Sequence, residues 1–168
     1  MVIWITGLSA SGKTTLSKAF EKKYKNLIPN MVLLDGDVIR QLYGNDLGYT
    51  EDQRVIQIQR LQAIAKFLED QSIVVVVAAL YANKYLLTYN RNTFKKYIEV
   101  YLKAEIDILI TREIKDLYKN AIEGKVTNVV GVDIPWNEPF SSDIIFNVAE
   151  KESPEKMAEI LYNKIVIS

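Results

Sequence analysis

From Gly7 to Thr14 the chain reads Gly-Leu-Ser-Ala-Ser-Gly-Lys-Thr, an ungapped match to G-x-x-x-x-G-K-[ST]. No other feature of the sequence restricts the fold as strongly. The apolar run Val2-Ile3-Trp4-Ile5-Thr6 before it reads as a buried strand, and Lys13–Tyr24 after it reads as a helix. Strand, glycine loop and helix in that order form a phosphate cradle: glycines let the backbone turn its N–H groups inward, and the helix N-terminus favours anions. Lys13 is placed to bridge the β- and γ-phosphates, and the Thr14 hydroxyl to ligate Mg²⁺. Gly7, Ser9, Ser11, Gly12, Lys13, Thr14 and Thr15 are therefore the candidate residues for binding ATP or GTP.

The rest of the chain repeats the alternation. Met31–Leu34, Ile73–Val77, Tyr97–Leu102 and Asp143–Val148 read as further strands; Ile73–Val77 is the strongest, because consecutive valines suit a strand covered on both faces. Val38–Tyr43 reads as a short helix, Val55, Ile58, Leu61, Ile64 and Leu68 recur at helical spacing, and Ser153-Pro154-Glu155 opens a last helix. The expectation is an α/β P-loop kinase fold, one domain over 1–168, with a parallel sheet of about five strands and helices on both faces. Gly44–Thr50 and about Gly124–Pro139 fit neither element, and long connections of this kind are usually binding loops or lids.

Composition removes whole classes of chemistry. The 168 residues include no histidine and no cysteine, which excludes imidazole bases, thiol nucleophiles and Cys- or His-ligated metal sites. The formal net charge of +0 argues against a nucleic-acid partner, and neither a secretory signal nor a membrane span is visible. A cytoplasmic enzyme or binding domain is expected. A regulatory GTPase would carry N-K-x-D; Asn83-Lys84-Tyr85-Leu86 starts that way but lacks the carboxylate. The third strand runs into Ala78-Ala79-Leu80 instead of ending in an aspartate, so the carboxylates must come from elsewhere. Asp35 and Asp37, in Leu34-Asp35-Gly36-Asp37 after the second strand, lie where open α/β sheets bind ligands. One orients or deprotonates an acceptor hydroxyl while the other helps hold Mg²⁺; the plainer reading is an Asp-Gly turn capping the next helix.

These residues resemble the adenylylsulfate (APS) kinase family, which uses ATP to phosphorylate a nucleotide ribose 3′-hydroxyl. The likeness runs through the P-loop, Leu34-Asp35-Gly36-Asp37-Val38-Ile39-Arg40, Asp46-Leu47-Gly48-Tyr49-Thr50-Glu51-Asp52-Gln53-Arg54, Leu117-Tyr118-Lys119 and Gly131-Val132-Asp133-Ile134-Pro135-Trp136-Asn137-Glu138-Pro139. It implies ATP and Mg²⁺, with Lys13, Asp35 and Asp37 catalytic and with Thr14 and Asp35 on the metal. It also implies Arg40 and Arg54 on the acceptor's charged groups, Tyr49 against its base, and Arg112 over the ATP adenine. Lys115 and Lys119 fall in a mobile lid of about 115–128, and a homodimer is expected.

Departures from the family gather on the acceptor side. One of two base-clamping phenylalanines is Tyr49 and the other position is Val129. An Asn-Ile-Arg-Arg stretch reads Gln57-Ile58-Gln59-Arg60, and Phe-Ile-Ser-Pro-Tyr-Arg reads Ala79-Leu80-Tyr81-Ala82-Asn83-Lys84. In the lid, Lys-Lys-Ala-Arg becomes Lys119-Asn120-Ala121-Ile122, and a lysine becomes Thr127. Losing an aromatic wall forfeits about 1–3 kcal/mol of base stacking. Drift would not concentrate on one of two ligands, so a different acceptor is expected, with Gln57 and Val129 lining its site. The pattern is similar to that of family members acting on a cytidine diphosphoramidate in capsule biosynthesis, a pyrimidine needing less stacking surface. An adenylylsulfate kinase tolerating these changes, and a catalytically weak regulatory ATP-binding domain, are the alternatives.

Overall fold

β1 (Val2–Thr6) is buried along its whole length because both faces of its sheet are covered. Val2 and Trp4 enter one apolar cluster while Ile3 and Ile5 enter another, as the period of two along a strand requires. The computed structural model describes residues 1–112 and 116–167. Its sheet has the order β2-β3-β1-β4-β5, every neighbouring pair parallel, with β2 (Met31–Asp35), β3 (Val74–Ala79), β4 (Tyr97–Lys103) and β5 (Ile144–Asn147). Parallel strands force crossovers, which the helices supply.

One face is covered by α1 (Lys13–Tyr24) and α7 (Pro154–Ile167), through Leu16, Phe20, Ala158 and Leu161. The Tyr24 and Tyr162 rings stack between these helices at 4.0 Å and 2°. The other face holds Ile58, Leu61 and Ala65 of α3 (Glu51–Asp70), Leu86 and Leu87 of α4 (Lys84–Thr93), Leu109 of α5 (Ile106–Arg112) and Tyr118 of α6 (Leu117–Ile122). The short α2 (Gly36–Leu42) follows β2 directly.

β1 and α1 fall where the sequence predicts them. β3 is shifted from Ile73–Val77 to Val74–Ala79: its register with β1 pairs Thr6 with Ala79, drawing the strand onward, while Ile73 N donates to Leu68 O in the preceding turn. The helix expected from Val38 begins at Gly36, because Asp35 caps it. α3 runs well past its apolar repeat, its start fixed by Gln53 Oε1 accepting from Thr50 N (3.4 Å) and Thr50 Oγ1 (3.0 Å). α4, α5 and α6 are helices that the apolar pattern does not announce. Asn83 is the N-cap of α4, its Oδ1 accepting from Leu86 N at 2.9 Å, so Asn83-Lys84-Tyr85-Leu86 is a helix start and not a fragment of a guanine-reading motif. Because all strands point one way, the loops after β1, β2, β3 and β4 gather at one edge.

Candidate active site

The P-loop is curled by three residues of positive φ: Gly7 (150°), Ala10 (59°) and Gly12 (100°). Glycine is required at position 7, where a Cβ would stand 2.7 Å from the backbone oxygen of Leu102. Leu8 O accepts from Ser11 N (3.3 Å) and from Lys13 Nζ (2.6 Å). Burial pulls the Lys13 ammonium down to about 8, against the nearby charges of Asp37 and Asp35 that push it up. Ser11 Oγ is buried and has no partner among the described residues. An unpaired hydroxyl, a half-desolvated ammonium and the open N–H groups of the first turn of α1 together fit a polyphosphate. Thr15 is exposed on that turn, and Ser9 gives its carbonyl to the hydroxyl of Tyr118 at 3.2 Å.

Asp35 lies beside the P-loop and both its oxygens are engaged. Oδ2 accepts from Thr14 Oγ1 at 2.6 Å and Oδ1 accepts from Asp37 N at 2.9 Å. The capping reading of Asp-Gly is therefore correct, and the same carboxylate also meets the P-loop. A hydroxyl joined to a carboxylate is a donor pair suited to Mg²⁺, which takes one or two carboxylates together with phosphate oxygens. Asp37, two residues on and the second residue of α2, is exposed. Among the described residues, no group of three or more His, Cys, Asp or Glu is placed to hold a metal on its own.

The predicted acceptor residues meet at the next loop. Arg40 is 6% exposed and its Nη1 donates to Leu47 O (2.8 Å) and Gly48 O (2.9 Å). Arg54 Nε donates to Tyr49 O (2.9 Å), and its Nη2 crosses to Asn128 O (2.7 Å). Both guanidinium groups lie against the Tyr49 ring, at 4.7 and 5.3 Å from its centroid, yet the tyrosine stays 54% exposed. The arginines thus brace the 44–50 loop and offer an aromatic surface. Gln57 is 5% exposed; its Nε2 donates to Gly36 O at 3.0 Å, under the Asp35–Asp37 turn, and its Oε1 is buried without a partner among the described residues. Val129 is 4% exposed and held by its N–H to Asp133 Oδ1 (2.6 Å), while Asp133 Oδ2 takes Asn128 N. Those backbone donors hold the Asp133 carboxyl below the usual range.

Arg112 and Lys119 are exposed, at the end of α5 and on α6; Lys115 lies outside the described residues. A cavity of about 250 Å³ opens beside Leu8, between Ala104–Ile106 and Gly131–Trp136. Sequence reasoning did not single out Tyr118, Asp133, or the pair formed by Tyr81 and Glu51, in which the buried tyrosine donates to Glu51 Oε1 at 2.5 Å. Tyr118, Asp133 and Glu51 stand inside sequence blocks that carry the resemblance, a usable signal. Glu51 and Tyr81 are 30 residues apart and share no local pattern.

A family model described as adenylylsulphate kinase matches residues 1–147. The cytidine diphosphoramidate kinase of Campylobacter jejuni subsp. jejuni is 34% identical over 166 residues, 99% of this chain and 96% of its own. An adenylyl-sulfate kinase of Oceanobacillus iheyensis is 32% identical over 163 residues, 96% of this chain and 82% of its own. Among solved structures, the Mycobacterium tuberculosis APS kinase CysC in complex with AMPPNP and APS superposes with a TM-score of 0.85 at 27% identity, covering 96% of this chain and 95% of that one.

Proposed function

The chain belongs to the adenylylsulphate kinase family and is an ATP-dependent nucleotide kinase, and from that premise we propose that it transfers the γ-phosphoryl group of ATP to the ribose 3′-hydroxyl of a cytidine diphosphoramidate. The observation that carries this reading is an asymmetry in the crevice. The donor half keeps a full P-loop with Lys13, Thr14 and Asp35 in mutual reach, whereas the acceptor half offers one aromatic surface, Tyr49, and an aliphatic Val129 beside the carbonyl that Arg54 ties to it. One ring face suits a pyrimidine better than a purine. The similarity to the Campylobacter jejuni enzyme over the whole chain supports the same acceptor.

Each residue then has a task. Lys13 and the P-loop N–H groups, with Gly7, Ser9, Ser11, Gly12 and Thr15 shaping the loop, hold the β- and γ-phosphates of ATP, and Arg112 covers its adenine. Thr14 and Asp35 would hold Mg²⁺, which when bound would supply charge neutralisation at the phosphates. Asp37, exposed at the end of the Asp35–Asp37 turn, accepts the proton of the 3′-hydroxyl as that oxygen attacks the γ-phosphorus. The bond from the γ-phosphorus to the β-phosphate oxygen breaks and ADP leaves. Arg40 and Arg54 present Tyr49 and face the acceptor's acidic groups, Gln57 and Val129 line its floor, and Lys119 belongs to a lid of about 115–128 that excludes water during transfer. The working unit is a homodimer in the cytoplasm. Among the described residues, no helix is long and apolar enough to cross a membrane.

The test is a phosphorus NMR product assay with Mg-ATP and, separately, adenylylsulfate, CDP and cytidine diphosphoramidate. A new 3′-phosphate signal on the cytidine diphosphoramidate, with little on adenylylsulfate, is expected. Conversion of adenylylsulfate alone overturns the acceptor assignment.

A further inference from the structure

We propose that Glu51, oriented by Tyr81, is the specificity-determining residue that reads an exocyclic amino group on the acceptor base. This deepens the reading above and rests on it, because it takes the base to lie against Tyr49.

Tyr81 follows the carboxyl end of β3, at the edge where the P-loop and the Asp35–Asp37 turn emerge. Its ring is buried in the apolar cluster under the crevice, and its hydroxyl donates to Glu51 Oε1 at 2.5 Å. Burial and this carboxylate raise the phenol to about 12, so it stays a hydrogen-bond donor throughout the working range. Glu51 opens α3, two residues after Tyr49 and one turn before Arg54, whose guanidinium lies 5.3 Å from the Tyr49 ring and near enough to Tyr81 to act on its charge. Tyr49, Glu51, Arg54 and Tyr81 therefore converge on one corner of the crevice.

Glu51 is exposed even with Tyr81 bonded to it. One carboxylate oxygen is fixed by the phenol, and Glu51 forms no ion pair among the described residues. A carboxylate held in one orientation accepts hydrogen bonds and cannot donate them. It suits an exocyclic amino group, as on cytosine, and repels the carbonyl that uracil carries at the same position. A tyrosine–carboxylate bond serving only to fasten α3 would be indifferent to that exchange.

The experiment compares kcat/KM for cytidine diphosphoramidate and its uridine counterpart in wild type, Glu51→Gln and Tyr81→Phe, with KM for ATP measured alongside. Wild type is expected to favour the cytidine compound by about tenfold or more. Glu51→Gln, whose amide both accepts and donates, brings the ratio to about one while KM for ATP stays within about twofold. Tyr81→Phe frees the carboxylate and lowers the ratio by about threefold; it carries the test alone if Glu51→Gln does not fold. An unchanged ratio in the variants, or a wild type that does not distinguish the two bases, overturns the role of Glu51 while leaving the kinase assignment standing. If wild type converts adenylylsulfate and neither pyrimidine compound, the cytidine reading has failed instead. Adenosine and inosine acceptors, which differ by the same amino-for-carbonyl exchange, then decide the matter for Glu51 by the same ratio.

Discussion

At Lys13 one side chain carries opposing demands. Its ammonium is needed for phosphate, yet burial lowers its pKa from 10.5 to about 8, so folding at neutral pH takes a charge out of water and sets it against the carbonyl of Leu8. The folded state holds fewer protons than the unfolded state between about 8 and 10.5, so this residue's contribution to stability improves as pH rises through that window. Lys13→Met removes the penalty and leaves Leu8 O bonded to Ser11 N. We expect the variant to melt roughly 2–4 °C higher at pH 7, as a gain of about 1 kcal/mol gives for a chain of this size, while transfer to the acceptor is nearly abolished. Calorimetry and turnover on the same preparation check it, and a lower melting temperature would contradict the stated cause. In wild type, kcat/KM for ATP should decline as pH passes about 8, where free Lys13 loses its proton. A pH profile flat to 10 would remove Lys13 from phosphate binding.

Among elements, β5 illustrates how a short edge strand is fixed by a polar cluster. It has four residues and, among the described residues, pairs only with β4. Glu99, buried in the middle of β4, accepts from Ser142 Oγ and Tyr97 OH, each at 2.9 Å, while Asp143 Oδ2 accepts Glu99 N at 2.8 Å. Arg91 of α4 lies 3.7 Å from Glu99 and 3.2 Å from Asp143, the cation between two carboxylates. Arg91→Met leaves those carboxylates facing each other, and we expect a loss of about 3 kcal/mol in urea unfolding with KM for ATP little changed. A loss under about 1 kcal/mol would mean that the cluster is solvated more than its geometry indicates. This cluster also marks the limit of what the sequence discloses. β1 and α1 are legible because an apolar run, a glycine loop and a periodic segment are local signals. α5 and α6, with seven and six residues, are held by packing of Leu109 and Tyr118 against the sheet, and nothing in their own composition demands a helix. The P-loop was readable for the same local reason. Arg54, by contrast, reaches Asn128 across 74 residues, and its bracing of the Tyr49 loop exists only once the strand order is known.

For the molecule as a whole, the sheet separates two apolar clusters and places the two ligand halves on loops of unequal support. β1, β3 and β4 form the centre, with Ile3, Ile5, Val75, Val76, Val77 and Val100 fully buried. The P-loop springs from that centre and is backed by Leu102 and Tyr118. Past the backbone bonds of Gly44 and Asn45 to α2, the 44–50 loop is tied to the body by side chains instead: Arg40 to Leu47 and Gly48, Arg54 to Tyr49, and Arg60 to Asp46 at 2.6 Å. Local opening draws on such weakly packed segments, so amide exchange should rank the molecule in that order. Slowest exchange is expected in Ile3–Ile5 and Val75–Val77, and the fastest of these groups in 44–50. Because the donor and acceptor halves are held separately, a non-hydrolysable ATP analogue with Mg²⁺ should protect residues 7–16 and leave 44–50 fast. Adding the cytidine acceptor should then slow 44–54 and 128–134 as Tyr49, Arg54 and Val129 close around its base. If the ATP analogue alone protected 44–50 to the same degree, the two halves would be coupled before the acceptor arrives, and binding would be ordered by the donor.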